Sequence, residues 1–161
     1  MIIGFSILSA FFLVFFWPSS SYKWETTWEY NIEPGIYDAP EEVTLGNMSL
    51  SLETYMWRDF MPISPPDGKP LIVVIMIHAQ NVVEFPLTVQ IDRIWIINGS
   101  SVRSTLATNE TRTYNNTLEM VFRDGPKWGP GISIDVVVKL KYLDFSFLYL
   151  LAPNQTIYMT V

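Results

Sequence analysis

Apolar and polar side chains alternate with a period of two in segment after segment beyond residue 21, and this pattern constrains the fold more than any other feature. The clearest case runs from Ile132 to Lys141, where every second residue is aliphatic and the residues between include Ser133, Asp135 and Lys139. Alternation of this kind is typical of a β-strand that buries one face. Turn-forming residues separate the segments. The pattern therefore predicts an all-β domain over residues 22–161.

The strand pattern also predicts how the domain is organised. Roughly eight or nine short strands separated by turn signals, without a convincing helix after residue 21, favour an immunoglobulin-like antiparallel sandwich of two sheets. The strand segments are residues 22–30, 50–57, 71–77, 87–97, 102–107, 118–122, 132–141, 145–151 and 156–161. Residues 71–77 are apolar throughout, which indicates a central strand covered on both faces. A break in the alternation indicates a β-bulge near Asp92 and Arg93, and Asn98-Gly99 predicts a hairpin turn.

An uncharged apolar segment precedes the domain at residues 2–17. As one helix it would measure about 24 Å, slightly less than the roughly 30 Å hydrocarbon core of a bilayer. A retained membrane anchor is the interpretation we favour for residues 1–17, and a cleaved signal peptide, cut before Tyr22, is the alternative. Residues 18–21 then form a short linker. The predicted architecture is thus one N-terminal apolar helix followed by the β domain.

Asparagine usage supports a location outside the cytoplasm. The chain has five N-x-[Ser/Thr] acceptor sequences for N-glycosylation, whereas about one is expected by chance from its composition. They begin at Asn47, Asn98, Asn109, Asn115 and Asn154. Glycans attached at these positions would keep the surrounding loops on the surface. Because the chain lacks cysteine, it has no disulfide framework of the kind common in small secreted domains. Several glycosylation sequences without any disulfide suit an archaeal-like surface protein.

The composition excludes most chemistries. Without cysteine and with His78 as the single histidine, the chain has no Cys-rich or multi-His metal site and no thiol nucleophile. No nucleotide-binding or nucleophile-elbow motif is present. The formal net charge is −6, so a basic nucleic-acid footprint is also missing. We therefore expect no enzyme activity, no metal, no cofactor and no nucleic-acid partner, and we expect His78 to be a hydrogen-bonded residue at a strand end.

Tryptophan residues are the candidate contact residues. Trp24 and Trp28 lie on one face of the predicted first strand, and Trp57 and Trp128 lie in proline-containing stretches beside a basic residue. Such residues commonly close the ends of a hydrophobic core. When exposed, tryptophan instead anchors protein partners or stacks on sugar rings. The first strand could also add to the sheet of another chain.

Three stretches carry a family resemblance: residues 57–71, residues 94–99 and residues 125–131. With them the chain resembles small exported prokaryotic envelope proteins of uncharacterised function, over about residues 50–161. The resemblance implies an exported β domain and carries no catalytic residue with it. Where such proteins are lipoproteins, this chain differs, because it lacks the lipid-bearing cysteine and has the apolar segment instead.

These observations predict a glycosylated β-sandwich that is held at the membrane through residues 2–17 and lies on the extracytoplasmic side or cell surface. We expect it to act as a structural or accessory module that contacts other envelope or membrane proteins. A carbohydrate-binding module that uses its exposed tryptophans is one alternative. A strand-exchanging subunit of an extracellular surface filament is the other.

Overall fold

The computed structural model describes residues 26–108, 111–143 and 146–161. Strands make up 61% of these residues and no helix occurs among them, which confirms the all-β prediction. The predicted N-terminal helix and linker, residues 1–21, lie outside the described residues. The nine strands are β1 Glu42–Leu45, β2 Met48–Asp59, β3 Leu71–Gln80, β4 Val89–Asn98, β5 Ser101–Leu106, β6 Arg112–Tyr114, β7 Thr117–Gly125, β8 Ser133–Tyr142 and β9 Ser146–Thr160.

The strands form one curled, half-barrel-like mixed sheet in the order β5-β4-β8-β9-β2-β3-β7-β6, with β1 paired to β2. We call β5, β4, β8 and the first part of β9 the β8 half. The β3 half consists of the end of β9 together with β1, β2, β3, β7 and β6. The expectation of a purely antiparallel fold is wrong at one place, because residues 157–160 of β9 pair with residues 56–59 of β2 in parallel. No local sequence pattern distinguishes this pairing from an antiparallel one.

The last strand, β9, joins the two halves. Its first part pairs antiparallel with β8, and its last four residues pair with β2. Two strands were predicted here, separated by a loop at residues 152–155, but the chain continues through that stretch as one strand with a bulge. At the bulge, Asn154 has a positive φ of 54° and its backbone N–H donates to Oδ1 of Asp135 at 2.9 Å. That side chain replaces a ladder partner, which allows the strand to continue.

The inner faces of both halves pack on one hydrophobic core. Every second residue of β3 is fully buried there, including Val73, Ile75 and Ile77, and β8 contributes Val136, Val138 and Leu140. The other face of β3 is only half-buried, so the prediction that residues 71–77 are covered on both faces is wrong for that face. An aliphatic residue on the outer side of a strand is thus no proof of burial.

Two local predictions can be compared directly with the strand register. The pairing of β4 with β8 shifts between Ile91 and Arg93, which confirms the predicted bulge. The hairpin between β4 and β5 exists, but Asn98 pairs with Ser101, so its two turn residues are Gly99 and Ser100. Gly99 has a φ of 58°, as the first central residue of a type II′ turn requires.

The predicted first strand, residues 22–30, is only partly described. Residues 22–25 lie outside the described residues. From residue 26 to residue 30 the chain makes a single bridge, between Glu29 and Ser104 of β5. Both backbone hydrogen bonds of this bridge measure 2.8 Å.

A buried arginine fixes the two proline-containing loops at one end of the sheet. Arg58 is 3% exposed and points inward from the end of β2. Its guanidinium group donates to the backbone carbonyls of Asp67 and Lys69 in one loop, and of Lys127 and Gly129 in the other. The ring of Phe60 lies 5.0 Å from the guanidinium carbon. Because one planar group serves four acceptors, the loops are held at a fixed distance from each other.

Gly68 shows how closely the first of these loops is packed. It has a φ of 73°, and a Cβ at this position would lie 2.5 Å from the ring of Phe60. Both the backbone conformation and the lack of space therefore require glycine here.

We expect Arg58→Met to lower the free energy of unfolding by about 3 kcal/mol, because four carbonyls lose a charged donor and those that stay buried find no other. The stability of Arg58→Lys should lie between that of the unchanged protein and that of Arg58→Met, since an ammonium group cannot serve four acceptors in one plane. Urea denaturation checks both. The control is Arg112→Met on the exposed strand β6. Equal effects at positions 58 and 112 would contradict the assignment.

Candidate interaction surface

The outer face of the β8 half is covered by the chain segment that precedes β1. We call residues 26–40 the strap. Ile36 and Ala39 of the strap are buried against Trp95, Ile97 and Val137. The indole N–H of Trp95 donates to the carbonyl of Asn31 at 3.0 Å. A second, smaller core therefore lies between the strap and the sheet.

A group of charged side chains fastens the strap at its middle. Glu33 accepts from Nζ of Lys139 at 2.7 Å and from the hydroxyl of Tyr149 at 3.1 Å. Burial is the largest single effect and opposes the charged forms of Glu33 and Lys139, but their mutual hydrogen bond and the other hydrogen bonds and charges around them together outweigh it. The pKa of Glu33 is therefore lowered and the pKa of Lys139 is raised. Burial and the hydrogen bond to Glu33 both raise the pKa of Tyr149.

The bulge in β4 brings two further charges to this group. Arg93 donates to Oε1 of Glu29 at 2.7 Å and to the hydroxyl of Ser104 at 3.0 Å. Oδ2 of Asp92 lies 3.9 Å from Nζ of Lys139. Because a bulge places two residues opposite one, it can aim consecutive side chains at the same side of the sheet. The bulge that was predicted from the sequence thus has a role in holding the strap.

The outer face of the β3 half has no comparable cover among the described residues. Tyr55 is 47% exposed and Tyr158 is 52% exposed, and Trp57, whose ring contacts that of Tyr55, is half-buried. On the adjacent strand, Ile72 pairs with Trp57 and Val74 pairs with Tyr55, and both are half-buried on this side. We call these five residues the aromatic face. Contiguous exposed apolar surface of this kind marks contact sites in soluble domains.

The rings of the aromatic face stand against one another. Tyr55 and Tyr158 are stacked, with ring centroids 5.5 Å apart and planes 22° apart, and the rings of Tyr55 and Trp57 are 5.3 Å apart at 37°. Rings that cover one another's faces leave mainly edges and outer faces for a partner.

Polar residues continue the same outer face beyond the aromatic rings. Nε2 of His78 lies 2.8 Å from Oε2 of Glu53, and Nδ1 lies 3.0 Å from the hydroxyl of Thr117. His78 therefore has a partner on each ring nitrogen, as expected for a hydrogen-bonded strand residue. Thr117 is 4% exposed, so its hydroxyl is closed to a large substrate. Among the described residues, no group of three or more acidic, histidine or cysteine side chains could hold a metal ion.

The four candidate tryptophans lie in different surroundings. Trp57 belongs to the aromatic face. Trp28 packs against the main core, with its ring edge toward Phe122 at a centroid distance of 6.4 Å and its N–H donating to the carbonyl of Arg123 at 2.8 Å. Trp128 is half-buried and packs against the same core. Trp24 lies outside the described residues.

Of the five residues of the aromatic face, only Trp57 was predicted as a contact residue; Ile72 and Val74 were expected to be buried, and both tyrosines were missed. Tyr55 lies two residues before Trp57, so the period of two along β2 could have placed both on one face. Tyr158 is different, because it meets Trp57 only through the parallel pairing of β9 with β2. No signal in the sequence reports that pairing.

Four of the five glycosylation asparagines are described, and they lie in turns, at a strand end or at the bulge of β9. Asn47 follows β1, Asn115 lies between β6 and β7, Asn154 lies in the bulge, and all three are exposed. Asn98 ends β4 and is half-buried. Asn109 lies outside the described residues. None of the four described asparagines belongs to the aromatic face.

Comparisons with protein-family models, with curated proteins and with solved structures found no match for this chain. In the described part of the chain, no helix has both the length and the apolar character that crossing a membrane requires.

We expect the attachment of the strap to depend on pH. The pKa of Glu33 is lowered by folding, so its contribution to stability is present at neutral pH and is lost as the pH falls through its folded value. The pKa of Lys139 is raised, so its contribution is lost when the pH rises above its ordinary value of 10.5. Glu33→Gln should therefore destabilise the protein more at pH 7 than at pH 3, as measured by urea unfolding. An equal effect at both values would contradict this assignment.

We expect glycans at Asn47, Asn115 and Asn154 when the chain is produced in a host with N-glycosylation, because these residues are exposed. Half-buried Asn98 should be occupied least. Mass spectrometry of glycopeptides gives the occupancy of each position. Single Asn→Gln variants serve as controls for the assignment. Occupancy that is highest at Asn98 would contradict the expected order.

Proposed function

We propose that the protein is a membrane-anchored, extracytoplasmic, glycosylated β-domain that works by contact, as a structural or accessory module of an envelope or membrane assembly. The observation that carries this proposal is the difference between its two outer faces. The strap covers the outer face of the β8 half, whereas Tyr55, Trp57 and Tyr158 stay accessible on the β3 half. The apolar segment at residues 2–17 supports the anchoring.

The aromatic face has the chemistry of a protein contact. Tyrosine and tryptophan are enriched among the residues that contribute most to binding, since each offers a large contact area with few rotatable bonds. Polar residues such as Glu53 and His78 adjoin the rings, as at the rim of an interface. None of the four described glycosylation asparagines belongs to the face, so attached glycans need not block it.

For the fold we propose the immunoglobulin-like sandwich in a modified form, in which two sheets share β9. The packing of both inner faces on one core supports this description. A sandwich of this kind presents its outer faces and its end loops to partners. The aromatic face is then the outer side of one sheet.

A carbohydrate-binding module is the second candidate, because the rings of Tyr55 and Tyr158 are both about half exposed. Sugar recognition favours rings that present their faces to the ligand, and the stacking of these two rings makes this candidate the weaker one. The third candidate, a strand-exchanging filament subunit, would use residues 22–30 as the donated strand.

The proposal is tested by placing a photo-crosslinking amino acid at position 57 of the full chain in its native envelope. We expect one discrete protein adduct from position 57 and none from position 37, where Tyr37 is exposed on the strap. In the double variant Tyr55→Ser and Trp57→Ser, the partner should no longer co-purify with the chain. The same variant should stay folded with a loss of about 2 kcal/mol of stability, because Tyr55 is 47% exposed and Trp57 is only half-buried.

Three outcomes would contradict the protein-contact proposal. These are the absence of an adduct at position 57, equal adducts at both positions, and binding to a glycan array that the double variant abolishes. The last outcome would favour the carbohydrate-binding candidate.

A further inference from the structure

The loop between β2 and β3 is held in a fixed conformation at its base. The carboxylate of Asp59 accepts hydrogen bonds from the backbone N–H of Met61 at 2.9 Å and from Nζ of Lys69 at 2.7 Å. The backbone carbonyl of Asp59 accepts the N–H of Lys69 at 2.9 Å. The guanidinium group of Arg58 binds two carbonyls of the same loop. The loop therefore presents its outermost residues in a defined position.

The outermost part of this loop is a tight turn. The backbone N–H of Ser64 donates to the carbonyl of Met61 at 2.9 Å, which closes a β-turn with Pro62 and Ile63 at its centre. Ile63 has a φ of 81°. Proline at the first central position and a positive φ at the second are features of a type II turn, in which glycine or asparagine normally occupies the second position. Here a β-branched residue occupies it.

Isoleucine at this position is unfavourable for the domain itself. A side chain that branches at Cβ crowds the backbone when φ is positive. Ile63 gains nothing in return from burial, because its side chain is fully exposed. Strained conformations of this kind cluster at functional sites. The other non-glycine residues with a positive φ in the described part of the chain are Leu143, which is not β-branched, and four residues of types that tolerate the conformation: Asn81, Asn115, Asp124 and Asn154.

The turn adjoins the aromatic face. Asp59 follows Trp57 on the same side of β2, because side chains alternate along a strand. Asp59 pairs with Thr160, which follows Tyr158 on β9 in the same way. The backbone of Met61 binds the carboxylate of Asp59, and the side chain of Met61 is exposed. The aromatic face thus continues through Asp59 into the loop that carries the turn.

The charges beside the turn favour a protein over a lipid surface as the occupant. Lys69 lies 2.7 Å from Asp59, and Lys127 lies 2.6 Å from Asp67, so these charges are paired within the chain. The side chains of Lys69 and Asp67 are more than half exposed. A bilayer that took up the turn would have to bury charge, which is costly. A protein can take up one aliphatic side chain and leave the charges at the rim of the contact.

We propose that Ile63 is an anchor residue that inserts into an apolar pocket of a partner protein. The turn holds the side chain in place before binding, so little conformational entropy is lost when the partner docks. This inference rests on the proposed function and deepens it, because one partner can meet the aromatic face and Ile63 together. Ile63 then serves the contact and not the stability of its own domain.

The first test is thermal unfolding of the full chain in a mild detergent. Ile63→Asn should raise the melting temperature by about 2–4 °C, because asparagine tolerates a positive φ. The matched control is Val83→Asn, at an exposed aliphatic residue without a positive φ in the loop at the other end of β3, which should change it by less than about 1 °C. A melting temperature that Ile63→Asn lowers or leaves unchanged would overturn the proposal.

The second test places a photo-crosslinking amino acid at position 61 of the full chain in its native envelope, which leaves Ile63 intact. We expect one discrete protein adduct. Ile63→Asn should reduce its yield at least about tenfold, as for an interface hot spot. Ile63→Val, which keeps a β-branched aliphatic side chain, and Val83→Asn should both retain the adduct. A lipid adduct, or an undiminished yield in Ile63→Asn, would overturn the proposal.

The crosslinks from positions 57 and 61 separate this inference from the proposed function. The expected result is the same partner at both positions. An adduct from position 57 alone would overturn the role of Ile63 and leave the aromatic face as the contact site. An adduct from position 61 alone would contradict the aromatic face and support Ile63. The absence of an adduct at both positions would overturn both proposals.

Discussion

The continuity of β9 is the constraint on which the rest of the structure depends. Its first part completes the hydrogen bonds of β8, and its last four residues complete those of β2, so a single strand carries the ladder from one half to the other. The bulge at Asn154 allows this, because Asp135 accepts the backbone N–H that would otherwise lack a partner. The inner faces of the two halves can then share one core. The same pairing brings Tyr158 beside Trp57, so the aromatic face is also a product of β9.

The two outer faces of the sheet differ in what covers them, and charge explains part of the difference. On the β8 half, Lys139 and Arg93 project from the sheet and meet Glu33 and Glu29 of the strap. The Lys139–Glu33 pair is partly buried, so its hydrogen bond fixes the position of the strap more firmly than the more exposed Arg93–Glu29 pair does. On the β3 half the corresponding side chains are aromatic or aliphatic. The chain thus places its own segment on the face that has charged partners for it, whereas no segment among the described residues covers the apolar face.

Strand positions could be predicted from the sequence wherever the alternation was strong, as in β8, and the slip at Asp92 identified a true bulge. Tertiary features were harder to predict. The parallel pairing of β9 with β2 depends on contacts between residues about one hundred positions apart, such as Trp57 and Tyr158. The role of Arg58 was hidden for a related reason, because its acceptors are backbone carbonyls in two distant loops. Backbone acceptors exist at every residue and leave no mark in a sequence. Trp57 was identified as a contact residue from its type, but its neighbours on the aromatic face come from the sheet.

The edges of the sheet bear on how the domain could meet a partner. Long unpaired edge strands invite the addition of a strand from another chain, and proteins limit this with short or covered edges. Here β6 is three residues long, and Glu29 occupies the edge of β5 with both hydrogen bonds of its bridge. Strand addition at these two edges would therefore have to displace the strap or rely on very few backbone hydrogen bonds. A partner that docks on the aromatic face meets neither obstacle, because side chains of the sheet already stand exposed there. The geometry of the edges thus favours contact through the face over exchange of strands.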